Sequence, residues 1–381
     1  MFGTMNILTF FLFVCGLLLL AVAALPYGIY LYNIHYGKKQ EVAPPLVNIP
    51  AITIVISALN EERVIKERME NIANSTYPKD RYEIILVDDS SSDATGRIAK
   101  ETAERLGLTC TVLRNEERLG VARSYNRAFR HAQNPIIVTS DADVFFEKDA
   151  LERIIERLES DDTIAAVCGD LLPLDSSREE TIGEMEGKYR DYYGAMCEWD
   201  SALDSTFSFN GALIAFRREC ISSIEEEAGA DDANTAMQAI RNGYRAVYEI
   251  RAKVYEETPD LFRIQFHQKV RRAAGLIVTT LHGRDLLRQN RPFSKTVYPL
   301  RIMINCLSPT LTLIGGFFVF LALLMFQAGL VAAATLLVLG YSFYAGNILS
   351  SFLLNQIYLF LGLLRFRKDM SLWESTSRKK A

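Results

Sequence analysis

Asp141-Ala142-Asp143 directly follows the apolar run Ile136 to Thr139 and Ser140, so two carboxylates at alternating spacing stand where a strand would give way to a loop. Hard divalent cations such as Mg²⁺ and Mn²⁺ take oxygen ligands, and Mg²⁺ sites use one or two carboxylates while substrate phosphates complete the shell. An isolated Asp-x-Asp reads first as a turn with solvated aspartates. A strand-end position beside other strand-end acids favours a metal-diphosphate site instead, and such neighbours exist: Asn60-Glu61 shortly after Ile52 to Ile56, and Asp88-Asp89 after Tyr82 to Val87. The run Asp88-Asp89-Ser90-Ser91-Ser92-Asp93 can form a turn and a helix N-cap, with Asp93 expected to cap. Paired acids there can also accept hydrogen bonds from a nucleobase N–H or ribose hydroxyls. Neither GxxxxGK[ST] nor GxGxxG occurs near these strands, which removes the P-loop and dinucleotide readings.

The elements that must position these acids read as alternating strand and helix. Ile52 to Ile56 is a β-branched run after Pro50, as expected of a buried parallel strand. Glu61 to Ala73 carries Val64, Ile65, Met69 and Ile72 at helical spacing, with Glu61 and Glu62 where the macrodipole favours acids. The unit repeats as strand Tyr82 to Val87, helix Ala94 to Leu106, strand Thr109 to Leu113, helix Val121 to His131 and strand Ile136 to Thr139. This alternation implies an α/β fold with a parallel sheet covered by helices, binding its ligand at the carboxyl ends of the strands.

The chain of 381 residues has 23% charged and 49% hydrophobic residues, which excludes disorder, a collagenous chain and a disulfide mini-protein. With 42 basic and 46 acidic residues there is no basic excess, so nucleic acid is not an expected partner. The cysteines show no CxxC spacing, and His35, His131, His267 and His282 form no ligand or triad spacing. Apolar residues concentrate in two stretches free of Lys, Arg, Asp and Glu, Ile7 to Leu25 and Ile302 to Leu364. Residues 1–37 are therefore expected to be a retained membrane anchor. Lys38 and Lys39 put the following segment, 38–300, in the cytoplasm, with membrane-proximal interfacial helices from about residue 262. The segment 301–364 offers three candidate spans, Ile302 to Phe326, Ala328 to Ala345 and Ile348 to Leu364. The tail, 365–381, carries Arg365, Arg367, Lys368, Arg378, Lys379 and Lys380, which favours a cytoplasmic C-terminus, two full crossings and one partial or interfacial segment.

These residues resemble the family 2 glycosyltransferases, membrane-bound inverting enzymes whose GT-A domain is Rossmann-like and binds a nucleotide-diphospho-sugar. The resemblance runs from about Ala51 to Gly275 and extends to the flanking membrane helices. Ile-Val-Ile-Ser-Ala-Leu-Asn-Glu-Glu looks like the family's opening strand and Asn-Glu loop, and Val-Asp-Asp-Ser-Ser-Ser-Asp-Ala-Thr resembles its second-strand motif. By that resemblance Ser57, Asn60, Glu61 and Asp89 line the nucleotide pocket with Asp88 beside them. Ser-Asp-Ala-Asp corresponds to the metal-binding DxD, with Asp143 the direct ligand of Mg²⁺ or Mn²⁺ and Asp141 a nucleotide or further metal contact. Phe209-Asn210-Gly211-Ala212 is similar to the acceptor-site loop, and Asp231-Asp232 stands at the family's Glu-Asp, which makes Asp232 the catalytic base. Gln268-Lys269-Val270-Arg271-Arg272 resembles the QxxRW motif of hyaluronan, cellulose and chitin synthases, so Gln268, Arg271 and Arg272 are expected at the acceptor or leaving group.

Three departures stand out. Arg272 replaces the Trp of QxxRW, removing a flat surface beside the acceptor sugar; Asp231 is one methylene shorter than the usual Glu; and Gly120-Val121-Ala122 lacks the usual Lys, leaving Arg118 or Arg123 to supply a basic contact. Tyr189, Tyr192, Tyr193 and Trp199 read first as core residues and second as a sugar-stacking set. The expected donor is a nucleotide-sugar, by resemblance a UDP-sugar. The expected acceptor is a growing polysaccharide or glycan, with a polyprenyl-phosphate or lipid-linked acceptor as the alternative. A homodimer or partner membrane protein would complete the thin channel that so few spans can make. A non-catalytic membrane scaffold is the alternative of a different class.

Overall fold

In the computed structural model, which describes residues 6–174, 181–226, 230–257, 262–326, 335–341 and 348–365, the expected apolar runs become strands of one sheet. The strands are β1 (Ile52–Ala58), β2 (Tyr82–Asp88), β3 (Cys110–Arg114), β4 (Ile136–Asp141), β5 (Val144–Phe146), β6 (Ile164–Pro173), β7 (Ile214–Arg217) and β8 (Arg245–Glu256). Their order is β3-β2-β1-β4-β7-β6-β8-β5. The first four are parallel, as the alternation implies. The remainder corrects the all-parallel expectation: β7 runs antiparallel to β4 and β6, and β5 antiparallel to β8. The four-residue β7 and three-residue β5 are too short to show a period in sequence.

Registry brings the polar strand ends into line. Ser57 pairs with Asp141 on one side and Val87 on the other, Ala58 with Asp88, and Asp88 with Arg114. Upstream, β1 is buried on both faces: Ile52, Ile54 and Ile56 pack with Ile65, Met69 and Ile72, whereas Val55 packs with Ile137, Phe129 and Met237. Full burial of such side chains contributes about 1.5–3 kcal/mol each, so this ladder fixes where the acids emerge.

The helices up to His282 are α1 (Ile7–Tyr36), α2 (Ile65–Ala73), α3 (Thr95–Leu106), α4 (Val121–His131), α5 (Ala150–Glu159), α6 (Thr181–Leu203), α7 (Asp231–Arg241) and α8 (Phe262–His282). Helix α2 starts four residues later than its periodicity suggests. Asn60 adopts a left-handed conformation (φ 57°), and the Glu61 and Glu62 N–H groups donate to Thr95 Oγ1 (2.8 Å) and Asp93 Oδ2 (3.2 Å). Those first donors are thereby spent on the turn before α3, where Asp93 also accepts from the Thr95 N–H (3.0 Å); the N-cap itself is Ala94, one residue later than expected, and it makes no side-chain cap bond.

Among the described residues two helices, Ile7–Tyr36 and Phe293–Met325, are long and apolar enough to cross a membrane. They meet at Gly16 and Gly315, where a Cβ on either glycine would fall within 2.9 Å of the other's carbonyl oxygen. Nearer the sheet, Arg301 donates to Asp200 Oδ2 (2.6 Å), whose Oδ1 accepts from Tyr30 Oη (2.8 Å). The third apolar candidate is a helix, Ile348–Arg365, that packs on α8 through Phe266 and Tyr358, with Gly362 against the α8 backbone. Of Ala328 to Ala345 only 335–341 is described, and it is helical; the basic tail beyond Arg365 lies outside the described residues.

Candidate active site

A cleft of about 390 Å³ opens at the carboxyl ends of β1, β2 and β4. Ser57, Glu61 and Asp89 line one end, Asp141 and Asp143 its floor, Asn210, Asp231 and Asp232 one flank, and Lys269, Arg271 and Arg272 of α8 another. Residues far apart in the chain thus meet at one cavity, most of them named from the sequence.

Three named residues are not brought to it. Asp88 is buried and turned into its own loop, accepting from Ser91 N–H (2.7 Å) and Arg114 Nη1 (3.1 Å). Asn60 is exposed, and its Oδ1 accepts from the Ser92 N–H (2.8 Å) and Oγ (3.1 Å). Gln268 borders a small adjoining recess with Arg190, Glu256 and Arg272. Asp89 does reach the cleft, yet Asn115 Nδ2 (2.7 Å) and the N–H groups of Leu119 (2.8 Å) and Gly120 (2.9 Å) donate to it. It therefore shapes the loop before α4, and Oδ2 keeps capacity to accept one further bond. Arg118 on that loop faces the cleft, whereas Arg123 pairs with Glu226 (2.8 Å).

The Asp141–Asp143 turn ends where β5 begins, and β5 pairs Val144 with Glu256, drawing a third carboxylate to the floor. Burial, then the charge of Asp143, then that of Glu256, push the Asp141 carboxyl well above the usual carboxylate range; Arg272 opposes them. Arg272 donates to Glu256 Oε1 (2.9 Å). Gly211 sits so close that a Cβ there would lie 3.3 Å from Asp141 Oδ2, and Asn210 is fixed by donating to Gly169 O (3.0 Å).

Asp231 and Asp232 open α7, where the helix dipole favours negative charge. The Ala233 N–H donates to Asp232 Oδ1 (2.7 Å), and the Ala230 N–H donates to Thr279 Oγ1 of α8 (3.0 Å). Burial and the Asp232 charge push Asp231 up to about 7, and burial also raises Asp232. Proton acceptance near neutral pH is the chemistry such carboxylates perform.

Among the described residues no three His, Cys, Asp or Glu side chains gather into a metal-holding cluster. The anionic floor of Asp141 and Asp143 nonetheless fits a hard divalent cation that shares its ligands with a substrate diphosphate. Of the helix α6 aromatics, Tyr193 lines the cleft, Trp199 packs edge-on against Tyr30 (centroids 5.1 Å) and Tyr192 bonds Tyr27 O (3.4 Å); the Tyr189 side chain lies outside the described residues. Tyr255-Glu256-Glu257-Thr258-Pro259 fits the family pattern in sequence, yet no site role attached to Glu256 there, and the cleft-lining Asn355, Tyr358 and Leu359 of the helix Ile348–Arg365 gave no sequence signal. Sequence reasoning also missed Arg68, a charged residue at a buried position of the Ile65, Met69, Ile72 stripe, and that misfit was the available signal.

Residues 53–213 match the profile of glycosyl transferase family 2, and residues 136–353 that of glycosyl transferase family group 2. The chain is 27% identical over 234 residues to a probable glycosyltransferase of Bacillus subtilis, covering 60% of this chain and 55% of that protein. It is 25% identical over 261 residues to a beta-monoglucosyldiacylglycerol synthase of Trichormus variabilis, covering 68% and 54%. The chain thus spans about half the length of these curated relatives. A mannosyltransferase of Pyrobaculum calidifontis, solved with GDP-mannose and Mn²⁺, superposes with a TM-score of 0.78 at 26% identity, over 93% of this chain and 98% of that one.

Strand-end acids and an Asp-x-Asp turn at the carboxyl ends of a GT-A sheet set the class of the fold. The chain belongs to the family 2 glycosyltransferases.

Proposed function

We propose that this enzyme transfers a sugar, with inversion, from a nucleoside-diphosphate sugar to an acceptor carried on a lipid at the membrane surface. The observation that supports the lipid reading is the lining of the cleft: Asn355, Tyr358 and Leu359 of the apolar helix Ile348–Arg365 border the same cavity as Asp143 and Asp232. An acceptor held along that helix would present its hydroxyl to Asp232. The relative named for a glucosyldiacylglycerol product agrees with this reading.

In this reading Asp143, with Asp141, holds Mg²⁺ or Mn²⁺ together with the donor diphosphate. The bound cation supplies charge neutralisation as the leaving group departs. Ser57, Glu61 and the Asp89-ordered loop hold the nucleoside, and Arg271 and Lys269 face the diphosphate, where a guanidinium suits phosphate oxygens. Asp232 Oδ1 is engaged by the Ala233 N–H, so Oδ2 is the atom that takes the acceptor proton. The acceptor oxygen then bonds to the anomeric carbon as the carbon–oxygen bond to the diphosphate breaks, its electron pair leaving with the diphosphate. One displacement inverts the centre, and one base suffices.

The same reading has α1 and the helix Phe293–Met325 crossing the membrane, the GT-A domain on the cytoplasmic side after Lys38 and Lys39, and the helix Ile348–Arg365 lying along the interface. Polymer synthesis is the second reading, resting on Gln268 to Arg271. Against it, Gln268 borders a recess beside the cleft and Arg272 is turned to Glu256. Membranes incubated with labelled UDP- and GDP-sugars test the choice. The lipid reading expects label extractable into organic solvent, and label retained only as water-soluble polymer would refute it.

A further inference from the structure

Arg68 is fully buried on α2, and among the described residues no carboxylate bonds to it. Its Nη2 donates to Ser140 Oγ (2.8 Å), one residue before Asp141. Ser140 Oγ in turn donates to Ala212 O (2.6 Å), beside Gly211. Its Nη1 donates to Asn71 Oδ1 (2.8 Å), one helical turn on. Asn71 then grips Phe146 at both backbone groups: Oδ1 accepts from the Phe146 N–H (2.8 Å) and Nδ2 donates to its carbonyl (2.9 Å). The guanidinium also lies over the Phe146 ring, 3.9 Å from its centroid. Ser140 and Phe146 flank the Asp141–Asp143 turn, so one pair on α2, the buried Arg68 and the half-buried Asn71, holds both its ends.

A buried guanidinium with an unpartnered Nε is a poor stabilising element, because desolvating a charge and leaving a donor unpaired both cost free energy. A Leu in the stripe of Ile65, Met69 and Ile72 would serve packing better. What the arginine adds is a rigid planar fork with donors aimed in two directions.

We propose that Arg68, acting through Asn71, is a positioning residue that clamps the Asp141–Asp143 turn in its cation-binding shape. The inference rests on the reading of Asp143 as the metal ligand. Clamp and charge have opposite signatures. Removing a nearby positive charge alone would leave the turn more anionic and tighten cation binding, whereas removing a clamp loosens the turn and weakens it.

The test titrates Mn²⁺ against the purified full chain with saturating UDP or GDP, following free Mn²⁺ by electron paramagnetic resonance. Arg68→Met is expected to weaken Mn²⁺ binding about tenfold, a change of roughly 1.4 kcal/mol. Asn71→Ala, which keeps the buried charge but releases Phe146, is expected to weaken it in the same direction. The Mn²⁺ concentration for half-maximal transfer should rise in step, with turnover recovering at high Mn²⁺. Arg97→Met, at an exposed helical pair with Glu101, should bind Mn²⁺ as wild type does. Unchanged or tighter binding in folded Arg68→Met overturns the clamp. If that variant does not fold, wild-type affinity in Asn71→Ala overturns it instead. Asp143→Asn separates the two levels: if it retains full Mn²⁺ binding, the metal assignment falls and the clamp with it. If it loses binding while Arg68→Met keeps it, only the clamp falls.

Discussion

At the scale of single residues, the site depends on carboxylates held in costly surroundings. Asp231 is pushed up to about 7 by burial and the neighbouring Asp232 charge, and burial raises Asp232 too. Protonation of a base raised in this way removes its acceptor form, so transfer at saturating metal should fall off on an acidic limb above the usual carboxylate range; a limb at about 4, where free carboxylates titrate, would contradict the shift. The linkage to stability has the opposite sign from a salt-bridged aspartate. A folded pKa above the unfolded one contributes stability below the unfolded value that is lost as pH rises through about 7. Asp231→Asn should therefore raise the melting temperature more at pH 8 than at pH 5, and equal shifts at both would count against it. Asp89 was expected to meet the nucleobase directly, whereas its bonds to Asn115, Leu119 and Gly120 make it first a loop organiser. Asp89→Asn should cost roughly 1.5–3 kcal/mol of stability and weaken donor binding as the loop shifts. Unaltered melting with weakened donor affinity would restore the direct contact.

At the scale of elements, the half of the sheet built from βα repeats was legible because each strand is a continuous apolar run ending in polar residues. The half beyond β4 was not, since β5 and β7 are short and β6 and β8 meet across a bulge at Gly169 and Asp170. The same division runs through the site. Asp141, Asp143 and Asp232 declared themselves by strand-end position or motif, while Glu256 reaches the floor only through the β5–β8 pairing and Tyr358 only through tertiary packing. Asp88 and Asn60 bond within their loops and do not line the cleft, since Asp and Asn serve turns as readily as ligands. The α1 contact with the helix Phe293–Met325 makes its own demand: Gly16→Val sets a branched side chain 2.8 Å from Gly315 O before any relaxation. That variant should lower the melting temperature while leaving donor affinity within about twofold of wild type; an unchanged melting temperature would mean that the helices do not need this close approach.

At the scale of the whole molecule, strand ends and the apolar helix Ile348–Arg365 line one cleft, which in the proposed reading would join a water-soluble donor to a membrane-bound acceptor. The two long apolar helices are tied to the catalytic domain by Tyr30, Asp200 and Arg301, so the cleft is fixed relative to them. A reporter fused after Gln40 should be accessible only from the cytoplasmic side, and access only from outside would overturn the proposed orientation. The central claim is that Asp232 performs the chemistry while other residues hold the donor. It is tested most directly by measuring donor affinity and turnover in the same membranes for wild type and Asp232→Asn, with turnover taken at saturating donor and Mn²⁺. Loss of a general base costs about 10² to 10⁴ in rate, so turnover should fall by that factor while donor affinity stays near wild type. Turnover above about a tenth of wild type would contradict the assignment on that scale.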